Sequence, residues 1–188
     1  IKYCDIQENN LMPSFDQIKK CINKNTKAII VVHYQGYSVE YLSDLKKLCN
    51  KKKIFLIEDA AQALGSYYKN KPLGSFGDFA CFSFHETKNL HSGNGGMLVV
   101  NNKKFIEKIK SIFDKGTNRH LMETNKIKYY SWVTIGSAFL MPELSASYLL
   151  PQIKESEKIF KIRSKIYLHY VNELKNISKN NFTLTNNY

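Results

Sequence analysis

The chain has 188 residues, of which 43% are hydrophobic and 23% charged. That suffices for one sizeable core, or one domain and part of another, and excludes disorder as the default state. No apolar run reaches the roughly 18 residues of a membrane span, so no membrane is expected among the partners. Lys and Arg number 28 against 16 Asp and Glu, a net charge of +12. The lysines are spread over predicted helix surfaces among asparagines, without a stripe or a recognised nucleic-acid motif. The charge therefore reads as a solvated surface, and no nucleic-acid partner is expected.

In chain order, short apolar runs predict strands over Lys2–Ile6, Ala28–His33, Ile54–Glu58, Phe79–Phe84 and Met97–Val100. Amphipathic helices are expected between several of them. Ser14 is placed to cap one with Ile18, Cys21 and Ile22 on its apolar face. Ser38 is placed to cap another that turns Tyr41, Leu42, Leu45, Leu48 and Cys49 inward. Phe105, Ile106, Ile109, Ile112 and Phe113 mark a third, which Gly116 should end. Strand–helix–strand alternation implies an α/β fold whose mainly parallel sheet is covered by helices on both faces. From Met141 to about Lys175 the pattern is helical, and Pro151 should kink or interrupt it. A polar, Asn-rich tail begins at Asn176.

The four cysteines, Cys4, Cys21, Cys49 and Cys81, contain no Cys-x-x-Cys pair. Cys21 and Cys49 fall on apolar helix faces and Cys81 in an apolar strand. Buried, reduced thiols and a cytoplasmic setting are expected, rather than disulfides or zinc. The histidines lack metal-ligand spacing, so no metal is expected. The opening residues show no signal peptide, and the absence of an initiator Met suggests that the N-terminus lies upstream.

The residues able to do chemistry sit at predicted strand ends, where open α/β sheets bind ligands. Asp59 follows one strand, within Asp59-Ala60-Ala61-Gln62; alone, such an Asp serves more often as a helix cap or loop ligand than as a catalytic group. Ser83 ends the next strand, and Lys88 follows five residues later. Lys88 precedes the turn Ser92-Gly93-Asn94-Gly95-Gly96, whose glycines permit a tight reversal or a close approach to a ligand. Alone, either feature reads as surface, and neither a Walker nor a dinucleotide fingerprint is present.

Together these segments change the reading. Ile57-Glu58-Asp59-Ala60-Ala61-Gln62, Gly74-Ser75-Phe76-Gly77-Asp78 and Phe82-Ser83-Phe84-His85-Glu86-Thr87-Lys88-Asn89 resemble, in order, the signatures of the DegT–StrS family. Val32-His33-Tyr34-Gln35-Gly36 is similar to a further segment of it. These are fold-type-I, pyridoxal-phosphate-dependent nucleotide-sugar aminotransferases. The resemblance implies that Lys88 carries the cofactor and moves protons, and that Asp59 pairs with its pyridine nitrogen. It implies that Gln62 meets the ring, that Ser83 donates to the phosphate, and that His33 lines the site; a satisfied core histidine fits His33 equally well.

Together with His85-Glu86-Thr87-Lys88-Asn89, the segments Lys115-Gly116-Thr117-Asn118-Arg119 and Tyr130-Ser131-Trp132-x-x-Ile135-Gly136-Ser137 extend the likeness to one subgroup. It comprises the TDP-4-oxo-6-deoxy-D-glucose transaminases, which make TDP-4-amino-4,6-dideoxy-D-galactose (TDP-fucosamine) for enterobacterial common antigen. The implied partners are a nucleotide-sugar, L-glutamate as amino donor, and a second copy in a homodimer. Residues 1–140 correspond to the middle of the large domain, 141–175 to an interdomain helical segment, and 176–188 to the start of a small C-terminal domain. The large domain is thus expected to be incomplete at both ends, and the isolated chain unstable, inactive or both. A non-catalytic relic that keeps the cofactor residues is the alternative reading.

Overall fold

The computed structural model describes residues 1–8 and 10–177. The N-terminal segment leads to a short helix, α1 (Phe15–Cys21). Its start is a complete capping box: Ser14 Oγ accepts the Gln17 N–H at 3.2 Å, and Gln17 Oε1 accepts the Ser14 N–H at 2.6 Å. Strand β1 (Ala28–Val32) follows, then helix α2 (Leu42–Lys52) and strand β2 (Phe55–Asp59). A small hairpin, β3 (Tyr67–Tyr68) with β4 (Lys71–Pro72), leads to β5 (Phe79–Ser83) and β6 (Gly96–Val100). Four helices complete the described chain: α3 (Ile106–Phe113), α4 (Arg119–Glu123), α5 (Glu143–Lys154) and α6 (Ser156–Ile177).

The main sheet has the order β1-β2-β5-β6. The β1–β2 and β2–β5 pairs are parallel, and β6 runs antiparallel to β5. Alternation along each strand separates two faces. Val31 and Leu56 point to a core completed by Leu42, Leu45 and Cys49 of α2, Ile18 of α1, and Leu73. Burial of this shared apolar surface is the main force holding the layer together.

The other face is largely bare. Its amino end carries an aromatic cluster of Phe55, Phe79 and Phe105, with ring centroids 5.4–6.1 Å apart. Toward the carboxyl end Ile30, Val32 and Leu98 stay exposed. Among the described residues the expected helix cover is found on one face only, for a topological reason. The β1–β2 crossover supplies α2 to one face, whereas the β2–β5 connection consists of turns and the β3–β4 hairpin and contributes no helix.

Four further expectations are corrected. Lys2–Ile6 forms no strand: it pairs with no strand of either sheet, and it and β1 both line a groove of about 900 Å³. Ser38 does not cap α2, whose first turn follows Tyr41; Ser38 Oγ donates to Val39 O at 3.0 Å. Buried Val39 and the Tyr41 hydroxyl, which donates to Pro13 O, fix the helix start instead. Pro151 lies inside α5, which runs on to Lys154 and breaks only at Glu155. Of the thiols, Cys49 alone is buried; Cys4 and Cys21 are half-buried and Cys81 is exposed, because its side chain falls on the bare face. Gly116 behaves as expected: at φ 76° it follows the end of α3, and its N–H donates to Ser111 O at 2.8 Å. Most of the tail assigned to a further domain, residues 178–188, lies outside the described residues.

Candidate active site

Because β1, β2 and β5 are parallel, the residues that leave them gather at one edge of the sheet. After β1 the chain turns through Tyr34–Gly36, with Gln35 in the left-handed region at φ 54° and Gly36 at 86°. Gly36 is required by space as well as by conformation. A Cβ there would lie 2.9 Å from Ser66 Oγ and 3.1 Å from Gln62 O. This close approach lets the Gln35 N–H donate to Gln62 Oε1 at 2.6 Å. The amide of Gln62 is thereby oriented, with its NH₂ left as the donor for a ligand.

After β5, the segment from Phe84 to Gly95 forms a closed loop. Its stem is zipped by Phe84 N–H to Gly95 O, Ser92 N–H to Phe84 O and Glu86 N–H to Gly93 O, all at 2.9–3.0 Å. At its tip the Lys88 N–H donates to His85 O at 2.9 Å. The His85 N–H reaches back to Ser83 Oγ at 3.3 Å, and His85 Nδ1 lies 3.1 Å from Thr87 Oγ1.

Between the two turns lies a cavity of about 360 Å³, within the usual size for small-molecule sites. Gln62, Ser83 and Lys88 all line it, joined by Gln35, Thr87 and Asn89. Thr87 and Asn89 flank Lys88, and Gln35 lies in the Val32–Gly36 segment. Their residue types carried no individual signal in the sequence. The lining offers one amine, two hydroxyls and three amides, that of Gln62 being fixed, which suits an anionic ligand with a carbonyl group.

Asp59 and His33 do not line this cavity. Asp59 ends β2 on the bare face, between Val32 and Cys81 in register. Its Oδ1 accepts the Ala61 N–H at 3.1 Å. His33 is fully buried on the core side, with Nε2 2.8 Å from Glu58 Oε2. Glu58 was not singled out in the sequence, yet it is the most densely bonded side chain here. Oε1 accepts the N–H groups of Phe76 (2.7 Å) and Gly77 (2.6 Å), and Oε2 accepts that of Gly74 (2.8 Å). Burial alone would raise the carboxyl pKa, but the bonds from His33, Gly77, Gly74 and Phe76 outweigh it and hold it below the ordinary value. Glu58 is thus an ionised anchor beneath the strand end. Among the described residues no group of three His, Cys, Asp or Glu is placed to hold a metal ion.

Residues 2–187 match the model of the DegT/DnrJ/EryC1/StrS aminotransferase family. The chain belongs to this family. The family's aminotransferases depend on pyridoxal phosphate. Similar proteins include GDP-perosamine synthase of Vibrio cholerae, 32% identical over 172 residues, which cover 92% of this chain and 45% of that protein. Helicobacter pylori PseC, an aminotransferase involved in the biosynthesis of pseudoaminic acid, superposes with a TM-score of 0.79 at 30% identity, covering 94% of this chain and 45% of that one. The putative sugar aminotransferase Spr1654 of Streptococcus pneumoniae in its PLP form gives 0.77 at 26% identity, covering 90% and 46%. The chain spans about half the length of the curated relatives it matches. Its sheet and flanking helices are part of the fold of pyridoxal-phosphate-dependent sugar aminotransferases.

Proposed function

We propose that this chain serves the transfer of an amino group from L-glutamate to a nucleotide-linked 4-oxo-6-deoxy sugar, with Lys88 as the residue that carries pyridoxal phosphate. The observation that supports this most directly is the convergence of Lys88, Ser83 and Gln62 on one cavity at the carboxyl edge of a parallel sheet. The cofactor, when bound, supplies an electron-withdrawing ring for the bond changes at the substrate carbon.

The chain's own residues then have distinct tasks. The Lys88 amine would hold the cofactor covalently and, once free, would move a proton at the substrate carbon. The Ser83 hydroxyl, with Thr87 beside it, would donate to the phosphate. The Gln62 NH₂, aimed by the Gln35 N–H, would meet the ring. Asp59 would hold a proton on the pyridine nitrogen; its Oδ1 is occupied by Ala61, which fixes the carboxylate at the strand end. His33 acts from beneath through Glu58 and does not touch the ligand.

The TDP-linked sugar is the preferred substrate in this reading, on the strength of the Lys115–Arg119 and Tyr130–Trp132 segments. Relatives named for GDP- and UDP-linked sugars make those nucleotides the comparison arms. A cytoplasmic homodimer completes the proposal. Exposed Trp132, Ile135 and Leu144 are apolar surface of the kind that a second copy would cover.

The test is the visible absorption spectrum of the protein mixed with pyridoxal phosphate, beside Lys88→Ala. An absorption band removed by borohydride in the wild type, and missing from the variant, is expected. Identical spectra from two proteins shown by circular dichroism to be folded would sink the assignment and leave a non-catalytic chain. With the band in hand, L-glutamate and TDP-, GDP- and UDP-linked 4-oxo sugars are compared for turnover.

A further inference from the structure

The loop that carries Lys88 zips its own stem, yet its far side is fastened by a helix 61 residues away in sequence. The His91 N–H donates to Gln152 Oε1 at 3.1 Å, and Gln152 Nε2 donates to His91 O at 2.8 Å. One side chain of α5 thus satisfies both main-chain groups of one loop residue, as a neighbouring strand would. Nε2 also donates to Tyr148 O at 3.1 Å, one helical turn earlier, which fixes the plane of the amide. Packing reinforces the fork. The Tyr148 and His91 rings lie 5.4 Å apart. Leu90, which lines the cavity, is buried with Leu149 and Phe84 against Met141, Ile159 and Phe160.

The residue type is demanding. The α5 main chain is engaged in its own helix, so only a side chain can reach across. A primary amide of this length offers a donor and an acceptor side by side in one plane, whatever the pH. Glutamate, when ionised, accepts only; leucine does neither; asparagine is one methylene shorter.

We propose that Gln152 is a positioning residue: through His91 it holds the turn on which Lys88 faces the cavity, so that the seating of α5 sets the placement of the amine. This rests on the reading of Lys88 as the cofactor-bearing residue. Only Asn89 and Leu90 separate Lys88 from His91 of the fork, and Leu90 is buried. A shift at His91 is therefore transmitted to the tip of the loop rather than absorbed by a slack segment.

The experiment compares wild type, Gln152→Leu and Gln152→Glu in the full chain as its gene encodes it. The first readout is amide hydrogen exchange at His91 in protein free of cofactor. The second is the rate, and the pH midpoint of the absorption spectrum, of the borohydride-reducible link formed with pyridoxal phosphate. Gln152→Leu is expected to speed exchange at His91 roughly tenfold or more, since two hydrogen bonds are lost. Exchange in β2 should stay unchanged, while the link forms several-fold more slowly (roughly, for a displaced amine) with a moved midpoint. At pH 8 Gln152→Glu keeps an acceptor for the His91 N–H but loses the bond to His91 O, so it should fall between wild type and leucine; it should recover at low pH, where the protonated carboxyl again donates.

Faster exchange with an unmoved link rate and midpoint would reduce the fork to a structural tie and overturn the proposal, as would no change in either readout. A wild type that forms no link overturns the reading of Lys88 and the proposal together, an outcome separable from the rest. If Gln152→Leu fails to fold, Gln152→Glu measured at the two pH values decides.

Discussion

Glu58 and His33 meet at 2.8 Å with neither side chain exposed to solvent. The pair sits directly under the strand end that bears Asp59, and His33 is tied to that end twice, since its own N–H donates to Asp59 O at 2.9 Å. The carboxylate accepts four hydrogen bonds, three from the turn that leads into β5. It therefore pins β1, β2 and that turn to one point.

Replacing Glu58 by Ala should cost about 3 kcal/mol or more, because it strands several buried donors at about 1–3 kcal/mol each. Gln should cost less but not restore the wild type, since its NH₂ group would face a main-chain N–H. Urea unfolding of the two variants measures this. The same carboxylate gives acid sensitivity of known sign. Its folded pKa lies below the ordinary value of 4.5. The stability it contributes is present in full above pH 4.5 and lost as pH falls through the lower folded value. The stability difference between wild type and Glu58→Gln should therefore shrink on acidification below that point. A difference independent of pH would contradict an ionised Glu58.

Gly77 is constrained by space alone. A Cβ there would lie 2.7 Å from Leu56 O and 2.8 Å from Phe79 O, both strand main chain that cannot move without opening the β2–β5 pairing. Gly77→Ala should destabilise by about 1–3 kcal/mol, the usual cost of overpacking. Thermal melting would show it; an unchanged melting temperature would mean that the strands yield.

The capping box at α1 predicts a smaller effect. Ser14→Ala removes the acceptor for the Gln17 N–H and should cost about 1 kcal/mol. Ser14→Asp should recover most of it, since a carboxylate both accepts that bond and favours the helix N-terminus. Denaturant midpoints of the three proteins provide the comparison.

How legible each part was depends on what wrote the signal. The strands at Ala28, Phe55 and Phe79 and the helix bearing Leu42, Leu45 and Cys49 were plain, because local periodicity and burial agree there. So was the order of Gln62, Ser83 and Lys88 along the chain. Lys2–Ile6 has a strand's composition but no partner, and composition cannot supply one. Cys81 has an apolar strand around it, but its exposure depends on whether anything covers its face. Glu58 was invisible as an anchor because its partners, His33 and the 74–77 turn, are brought to it only by the fold. Gln152 escaped notice for the same reason: its partner lies 61 residues away.

The bare face of the sheet offers a test that depends on no functional reading. Asp59 and Cys81 are register partners on adjacent strands, with side chains on the same face. Partial burial raises the Cys81 thiol above its ordinary pKa, and the nearby Asp59 charge raises it further. The thiolate is the form that reacts. Asp59→Asn removes the second cause and should lower the thiol pKa, so Cys81 should be alkylated faster by a neutral reagent such as iodoacetamide at pH 8. Cys49, buried and pushed up to about 11, should stay unreactive until the protein unfolds. Peptide mapping of the labelled sites separates the two. An unchanged rate at Cys81 in Asp59→Asn would mean that the carboxylate points away from the thiol. The face on which Asp59 is placed would then need revision, and with it the side from which a pyridine ring could approach.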